Sequence, residues 1–283
     1  MMHRIQAVAA HLRPTPASAA RTAAMSTSHQ VHNDNIACCT VPAVQSDYTP
    51  KGSIRPYAGF KSAYITGPAT SETAVVCVYD IFGFKPQTQQ GADRLADALH
   101  ARVVMPDFFE PNRPWDTAQF PPRTDAARAQ LQAFFGGTAN PQKNVEKLLC
   151  VGRALRGEGV RRIGVYGLCW GGKVSILAGG VADTPFDAVG VLHPAMLKAE
   201  DTIPLDLPLA IYITKDESLE EYQKIVKIMK NKAVADKVDN ELYQDMFHGF
   251  AGARGDLDDP LNKKRFEEVY ARLAKYFQNV LQN

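Results

Sequence analysis

The sequence predicts an α/β protein, a doubly wound and mostly parallel sheet with helices on both faces. Three observations carry that expectation. From Tyr64 onward, short β-rich runs alternate with helical patterns, as strands joined by crossover helices do. Two of the runs, Val75-Val76-Cys77-Val78 and Leu209-Ala210-Ile211-Tyr212-Ile213, are apolar at successive positions, the pattern of strands covered on both sides. A chain of 283 residues with 45% hydrophobic and 22% charged content suits one large domain of this class.

Residues 1–35 stand apart from that pattern. Met1 to Asn33 contain no acidic residue, yet hold Arg4, Arg13 and Arg21 among many Ala and Ser, and Ile5, Val8, Ala9 and Leu12 recur at helical spacing. The composition suits a mitochondrial transit peptide. A start at Met25, with 1–24 an upstream extension, fits equally well. The expected organisation is an N-terminal extension at 1–35 and a single domain at 36–283. Within the domain, β-rich runs predict strands at 62–66 and 74–79, a helix near 88–100, and a strand at 102–106. Helices near 124–135 and 141–156 follow, then a strand at 162–166 and a helix at 170–180. Strands at 188–192 and 208–214, a helix at 218–234, a strand at 241–244 and a helix at 261–281 complete the alternation. No internal repeat is present.

Composition narrows the function classes. A formal net charge of +2 with dispersed basic residues argues against a broad nucleic-acid footprint. No apolar run approaches the length a membrane helix needs. The five cysteines, at 38, 39, 77, 150 and 169, are odd in number and lack metal-ligand spacing, which fits a reducing, cytoplasmic or mitochondrial compartment. Cys77 and Cys150 read as core residues, and Cys38-Cys39 as thiols. No metal or cofactor is expected. The expected partner is a small molecule, and the expected state is a monomer.

The most informative stretch is Arg161 to Lys173. A β-branched run leads into Gly167-Leu168-Cys169-Trp170-Gly171, and an apolar helical pattern follows. This is the layout of a nucleophile elbow, a strand-to-helix turn so tight that small residues must flank the raised side chain. The helix N-terminus beneath it favours an anion, here a thiolate at Cys169. Two later strand ends carry titratable residues: Asp216 and Glu217 after the strand at 208–214, and His248 after the strand at 241–244. Cysteine chemistry needs a histidine to hold and return the thiol proton, and an acid to orient that histidine. Asp216, nearest its strand end, is the expected acid, with Glu217 the rival. His193 also follows a strand end, but it precedes every acid candidate and reads as a pocket-lining or structural residue.

Five motifs taken together carry a resemblance. Cys169-Trp-Gly-Gly, Lys215-Asp216 and His248-Gly-Phe, with Val78-Tyr-Asp80-Ile-Phe-Gly83 and Val104-Met-Pro-Asp107-Phe-Phe, resemble the dienelactone hydrolase family of carboxymethylenebutenolidase-like α/β-hydrolases. The opening at 38–52, Cys-Cys and then Tyr-Thr-Pro-Lys-Gly, is most similar to its fungal-type branch. The resemblance implies the α/β-hydrolase fold and hydrolysis of small activated esters or enol-lactones through Cys169, Asp216 and His248. It also implies an acid against the resting thiol, at Asp80, and an oxyanion hole from the backbone N–H groups of Trp170 and Ile81. An arginine soon after the histidine binds a substrate carboxylate in bacterial members, and Arg254 stands six residues on. Phe82, Phe108, Trp115 and Phe250 are candidate pocket residues, and the proline-rich segment 110–122 is a candidate lid. The rival reading keeps the fold but makes Cys169 a redox sensor or the chain a regulatory protein without ester turnover.

Overall fold

Among the 283 residues, the computed structural model describes Asn33 and residues 41–282. The chain divides between Gln30 and Val31, and everything described here belongs to the second part. Readings placed on residues 1–32 and 34–40, the extension and Cys38-Cys39 among them, fall outside the described residues.

Among the described residues, eight strands form one sheet: β1 (Ser53–Tyr57), β2 (Phe60–Thr66), β3 (Thr73–Val78), β4 (Arg102–Pro106), β5 (Arg162–Leu168), β6 (Ala188–Leu192), β7 (Leu209–Thr214) and β8 (Asp239–Tyr243). Their spatial order is β1-β2-β4-β3-β5-β6-β7-β8. The first two pairings, β1 with β2 and β2 with β4, are antiparallel, and the remaining neighbours are parallel. The sheet is therefore mostly parallel, as expected, with an antiparallel edge.

Among the described residues, six α-helices connect and cover it: α1 (Pro86–Leu99), α2 (Asp125–Gly136), α3 (Pro141–Gly157), α4 (Trp170–Gly179), α5 (Leu219–Lys230) and α6 (Pro260–Phe277). Four of them start on a capping side chain that satisfies an orphan N–H: Thr124, Asn140, Ser218 and Asp259 accept from Ala127, Lys143, Glu221 and Asn262. At α4 the N-cap position is Cys169, whose side chain makes no capping bond. Its first-turn N–H groups are thus not occupied by a cap.

Strand alternation sorts the two faces. Val189 and Val191 point to α4, whose Gly179 and Gly172 admit them, while Gly164 and Gly190 make room for Phe277 and Leu273 of α6 on the opposite side. On that side α6 also meets α1, where Tyr270 packs tightly over Gly91. Among the described residues no helix is long and apolar enough to cross a membrane.

The register aligns the carboxyl ends of the central strands. Val78 pairs with Gly167, Leu168 with Leu192, Leu192 with Tyr212, and Thr214 with Tyr243. The loops leaving β3, β5, β6, β7 and β8 consequently share one rim, the position where open α/β sheets carry their chemistry.

Candidate active site

Cys169 is the one residue between β5 and α4, and its backbone has φ 53° and ψ −114°. A non-glycine residue there is strained, and such strain persists only where the surroundings fix it. The fixing contacts are visible. The Cys169 N–H donates to the Leu192 carbonyl at 3.1 Å, and its carbonyl accepts from Ala195 at 2.9 Å and Gly172 at 3.1 Å. The flanking glycines are a spatial necessity. A Cβ at Gly167 would lie 2.0 Å from the Gly171 carbonyl oxygen, and one at Gly171 would lie 2.0 Å from that of Val78. The elbow thus folds back on itself and wedges against the end of β3.

Cys169 is fully buried, as is Trp170, whose Nε1–H donates to Ala139 O at 2.6 Å. The backbone N–H of Trp170 lies in the first turn of α4, where the helix supplies no acceptor. Ile81 sits within a turn after β3, closed by the Gly83 N–H to Asp80 O bond at 3.2 Å. The Asp80 carboxylate ties two loops together, accepting from Phe82 N–H at 2.9 Å and Ala253 N–H at 3.1 Å.

At the next strand ends the structure redistributes the two acids. Glu217 Oε1 lies 2.6 Å from His248 Nδ1, and both side chains are fully buried. Asp216, the expected partner of that ring, instead accepts from the His248 backbone N–H at 2.9 Å. The reason is local. After Thr214 the chain turns, and Glu217 folds back so that its Oε2 accepts from the Thr214 N–H at 2.5 Å and Oγ1 at 2.9 Å. Proximity to the strand end favoured Asp216, but the turn brings the third residue beyond the strand back under it. One acid therefore sets the loop backbone and the other sets the ring. A carboxylate on Nδ1 keeps the proton there and directs the Nε2 lone pair outward.

His193 completes the cluster. It is fully buried, with its ring 5.3 Å from that of His248 and 5.8 Å from that of Phe250. Burial, then the neighbouring His248 and Arg254, hold its imidazole well below the ordinary histidine range. Sequence reasoning set His193 aside as a base and read it as pocket-lining or structural; the structure places its ring against that of His248.

Arg254 is fully buried. Its guanidinium lies 4.8 Å above the Phe82 ring and 5.0 Å above that of Phe120, and Nε donates to Val41 O at 2.6 Å. Successive turns from Phe247 to Gly255 coil the loop. Gly249, at φ +98°, leaves room for the Arg254 stem, which a Cβ there would meet at 2.7 Å.

The remaining pocket candidates separate. Phe82 faces Arg254. Phe108 is core: its ring packs against Phe60, Tyr79 and Trp170. Phe250 stands behind His193 and against Tyr243. Trp115 rests on Phe134 of α2, and its backbone N–H donates to Ile81 O at 2.8 Å, so segment 110–122 is pinned onto the Ile81 turn. Of the other thiols, Cys77 is buried, its pKa pushed up to about 12 by desolvation, whereas Cys150 is exposed on α3 and not core as expected. Among the described residues no group of three His, Cys, Asp or Glu could hold a metal ion.

Comparison with known proteins places this arrangement. The model of the dienelactone hydrolase family matches residues 62–281. An uncharacterized AIM2 family protein of Schizosaccharomyces pombe is 31% identical over 251 residues, covering 86% of this chain and 99% of its own. A carboxymethylenebutenolidase homolog of Mus musculus is 27% identical, covering 76% and 85%. The crystal structure of a dienelactone hydrolase from Anabaena variabilis superposes with a TM-score of 0.55 at 11% identity, over 83% of this chain and all of that one. A dienelactone hydrolase-like promiscuous phosphotriesterase from metagenomic libraries gives 0.55 at 18% identity, over 82% and 98%. At these identities the two structures establish the shared fold.

Proposed function

This chain belongs to the dienelactone hydrolase family, and from that premise we propose that it hydrolyses small activated esters or enol-lactones through Cys169, His248 and Glu217. The observation that best supports this reading is the buried 2.6 Å contact of Glu217 with His248 Nδ1, at the same rim as a cysteine on a strained elbow.

In this mechanism the Cys169 thiolate adds to the scissile carbonyl, and negative charge collects on the carbonyl oxygen. The N–H groups of Trp170 and Ile81 stabilise that oxyanion, each donor being worth about 100- to 1,000-fold in rate. His248 holds the thiol proton and passes it to the leaving oxygen as the C–O bond breaks, while Glu217 stabilises the imidazolium. Water then attacks the acyl thioester with His248 as base, the C–S bond breaks, and the departing Cys169 sulfur recovers the proton from His248. A thiolate is a good leaving group, so esters whose own leaving group is activated react and amides do not. Asp80 is assigned as the acid facing the resting thiol, and Arg254 as the site for a substrate carboxylate.

A panel of lactones, enol-lactones, aryl esters and an anilide, assayed with wild type, Cys169→Ala and His248→Ala, tests the proposal. The expected result is ester and enol-lactone turnover that falls by about 10⁴-fold or more in either variant, with no anilide turnover. Ester turnover that survives both substitutions would overturn the mechanism.

A further inference from the structure

His193 presents a physical anomaly. It is fully buried, and neither ring nitrogen has a hydrogen-bond partner among the described residues. Its backbone is left-handed, with φ 38°, a conformation unfavourable for a residue with a Cβ. The turn after β6 does not depend on the ring. His193 N–H donates to Tyr212 O at 2.8 Å, and Ala195 N–H to Cys169 O at 2.9 Å. Pro194 packs on α4, where a Cβ at Gly172 would lie 2.9 Å from it. An apolar ring would fill the volume without the desolvation cost of two buried polar atoms. Such a side chain serves a partner that comes and goes.

Its place on the rim identifies that partner. The strand order sets Ile81, after β3, on one side of Cys169, and His193, Glu217 and His248, after β6, β7 and β8, on the other. An acyl group whose oxygen faces the Ile81 and Trp170 N–H groups turns its opposite flank toward His248. The attacking water must come from that flank, because His248 is its base. Among the described residues, His248 and Arg254 lie against the His193 ring, and Asp80 stands on the far side of Gly252, where a Cβ would lie 3.0 Å from Asp80 Oδ2 and 3.9 Å from His193 Cε1. A neutral imidazole offers one donor and one acceptor, enough to fix a water's orientation without repelling an imidazolium on His248.

We propose that His193 holds the hydrolytic water against the acyl thioester, an inference that rests on the hydrolase reading above. The water oxygen bonds to the thioester carbon and its proton passes to His248 Nε2. The tetrahedral adduct then expels the Cys169 sulfur, which recovers the proton from His248 as the carboxylic acid leaves.

Stopped-flow hydrolysis of p-nitrophenyl acetate separates acylation, seen as a burst, from deacylation, seen as steady-state turnover. In His193→Phe the burst rate should stay within about 3-fold of wild type while turnover falls by about 10-fold or more. His193→Asn accepts a left-handed backbone and still donates and accepts, so turnover should stay within about 3-fold of wild type. His193→Ala carries the same prediction as His193→Phe should the larger ring prevent folding. Burst and turnover falling together, turnover unchanged in His193→Phe, or His193→Asn behaving like His193→Phe would each overturn the assignment. A burst that persists in Cys169→Ala would instead overturn the hydrolase reading itself.

Discussion

Glu217→Gln is expected to lower kcat/KM on an aryl ester by about 10³- to 10⁴-fold, whereas Asp216→Asn lowers it by about 10-fold or less. The contrast follows from what each carboxylate touches. One oxygen of Glu217 accepts two hydrogen bonds from Thr214, and the other meets His248 Nδ1. In a glutamine the carbonyl oxygen must stay on the Thr214 donors, which turns the NH₂ group toward Nδ1. A donor there forces the imidazole proton onto Nε2, the nitrogen that has to take a proton from the thiol and from water. The variant should fold, because shape and the Thr214 contacts survive. Asp216 accepts from the His248 backbone N–H and is only half-buried. Asparagine can accept the same bond through Oδ1. Steady-state kinetics of both variants, with folding checked by circular dichroism, decide the point. The reverse order of effects would return the acid role to Asp216.

Gly171→Ala should cost about 3 kcal/mol or more, at the upper end of what overpacking costs. The added methyl would sit 2.0 Å from the Val78 carbonyl oxygen, 2.6 Å from its carbon and 2.7 Å from the Tyr79 carbonyl oxygen. All three are backbone atoms at the end of a central strand, so no rotamer change relieves the clash. Either α4 must lift from β3 or the elbow must open, and both displace the Cys169 sulfur. Gly157→Ala, in α3 with nothing within 4 Å of its would-be Cβ, is the matched control and should be neutral or stabilising by about 0.5–1 kcal/mol. Urea midpoints at constant m-value measure both. Equal stability of the two variants would contradict the claim that the elbow is sterically closed.

Much of this architecture is legible in the sequence because burial leaves a periodic trace. The central strands 75–78 and 209–213 are apolar throughout since helices cover both faces, and the helical patterns lie where α1 to α6 form. β1 escapes the same reasoning. Ser53–Tyr57 is an exposed edge strand holding Arg55 and Pro56, so it shows no apolar alternation, and a proline there is tolerated because its missing N–H need not reach a partner strand. The elbow at Cys169 and the strand-end placement of His248 are legible because small flanking residues and strand ends are sequence features. Which of two adjacent acids reaches a ring is a matter of torsion angles. Asp216 and Glu217 differ by one residue and one methylene, and only the turn at Thr214 separates their roles. Arg254 is named from its spacing alone, but its burial against Phe82 is not legible, because it depends on the coiled loop admitted by Gly249. Phe108 and Cys150 misled in opposite ways, an aromatic near a strand end that is core and a thiol in an apolar helix that faces water.

The most direct test is to quench the reaction with an activated ester on the millisecond scale and locate the acyl group by mass spectrometry. The mechanism predicts a transient, hydroxylamine-sensitive acyl adduct on the peptide carrying Cys169, formed at the burst rate and absent in Cys169→Ala. Steady turnover with no adduct at that sulfur, or an adduct at any other side chain, would contradict it.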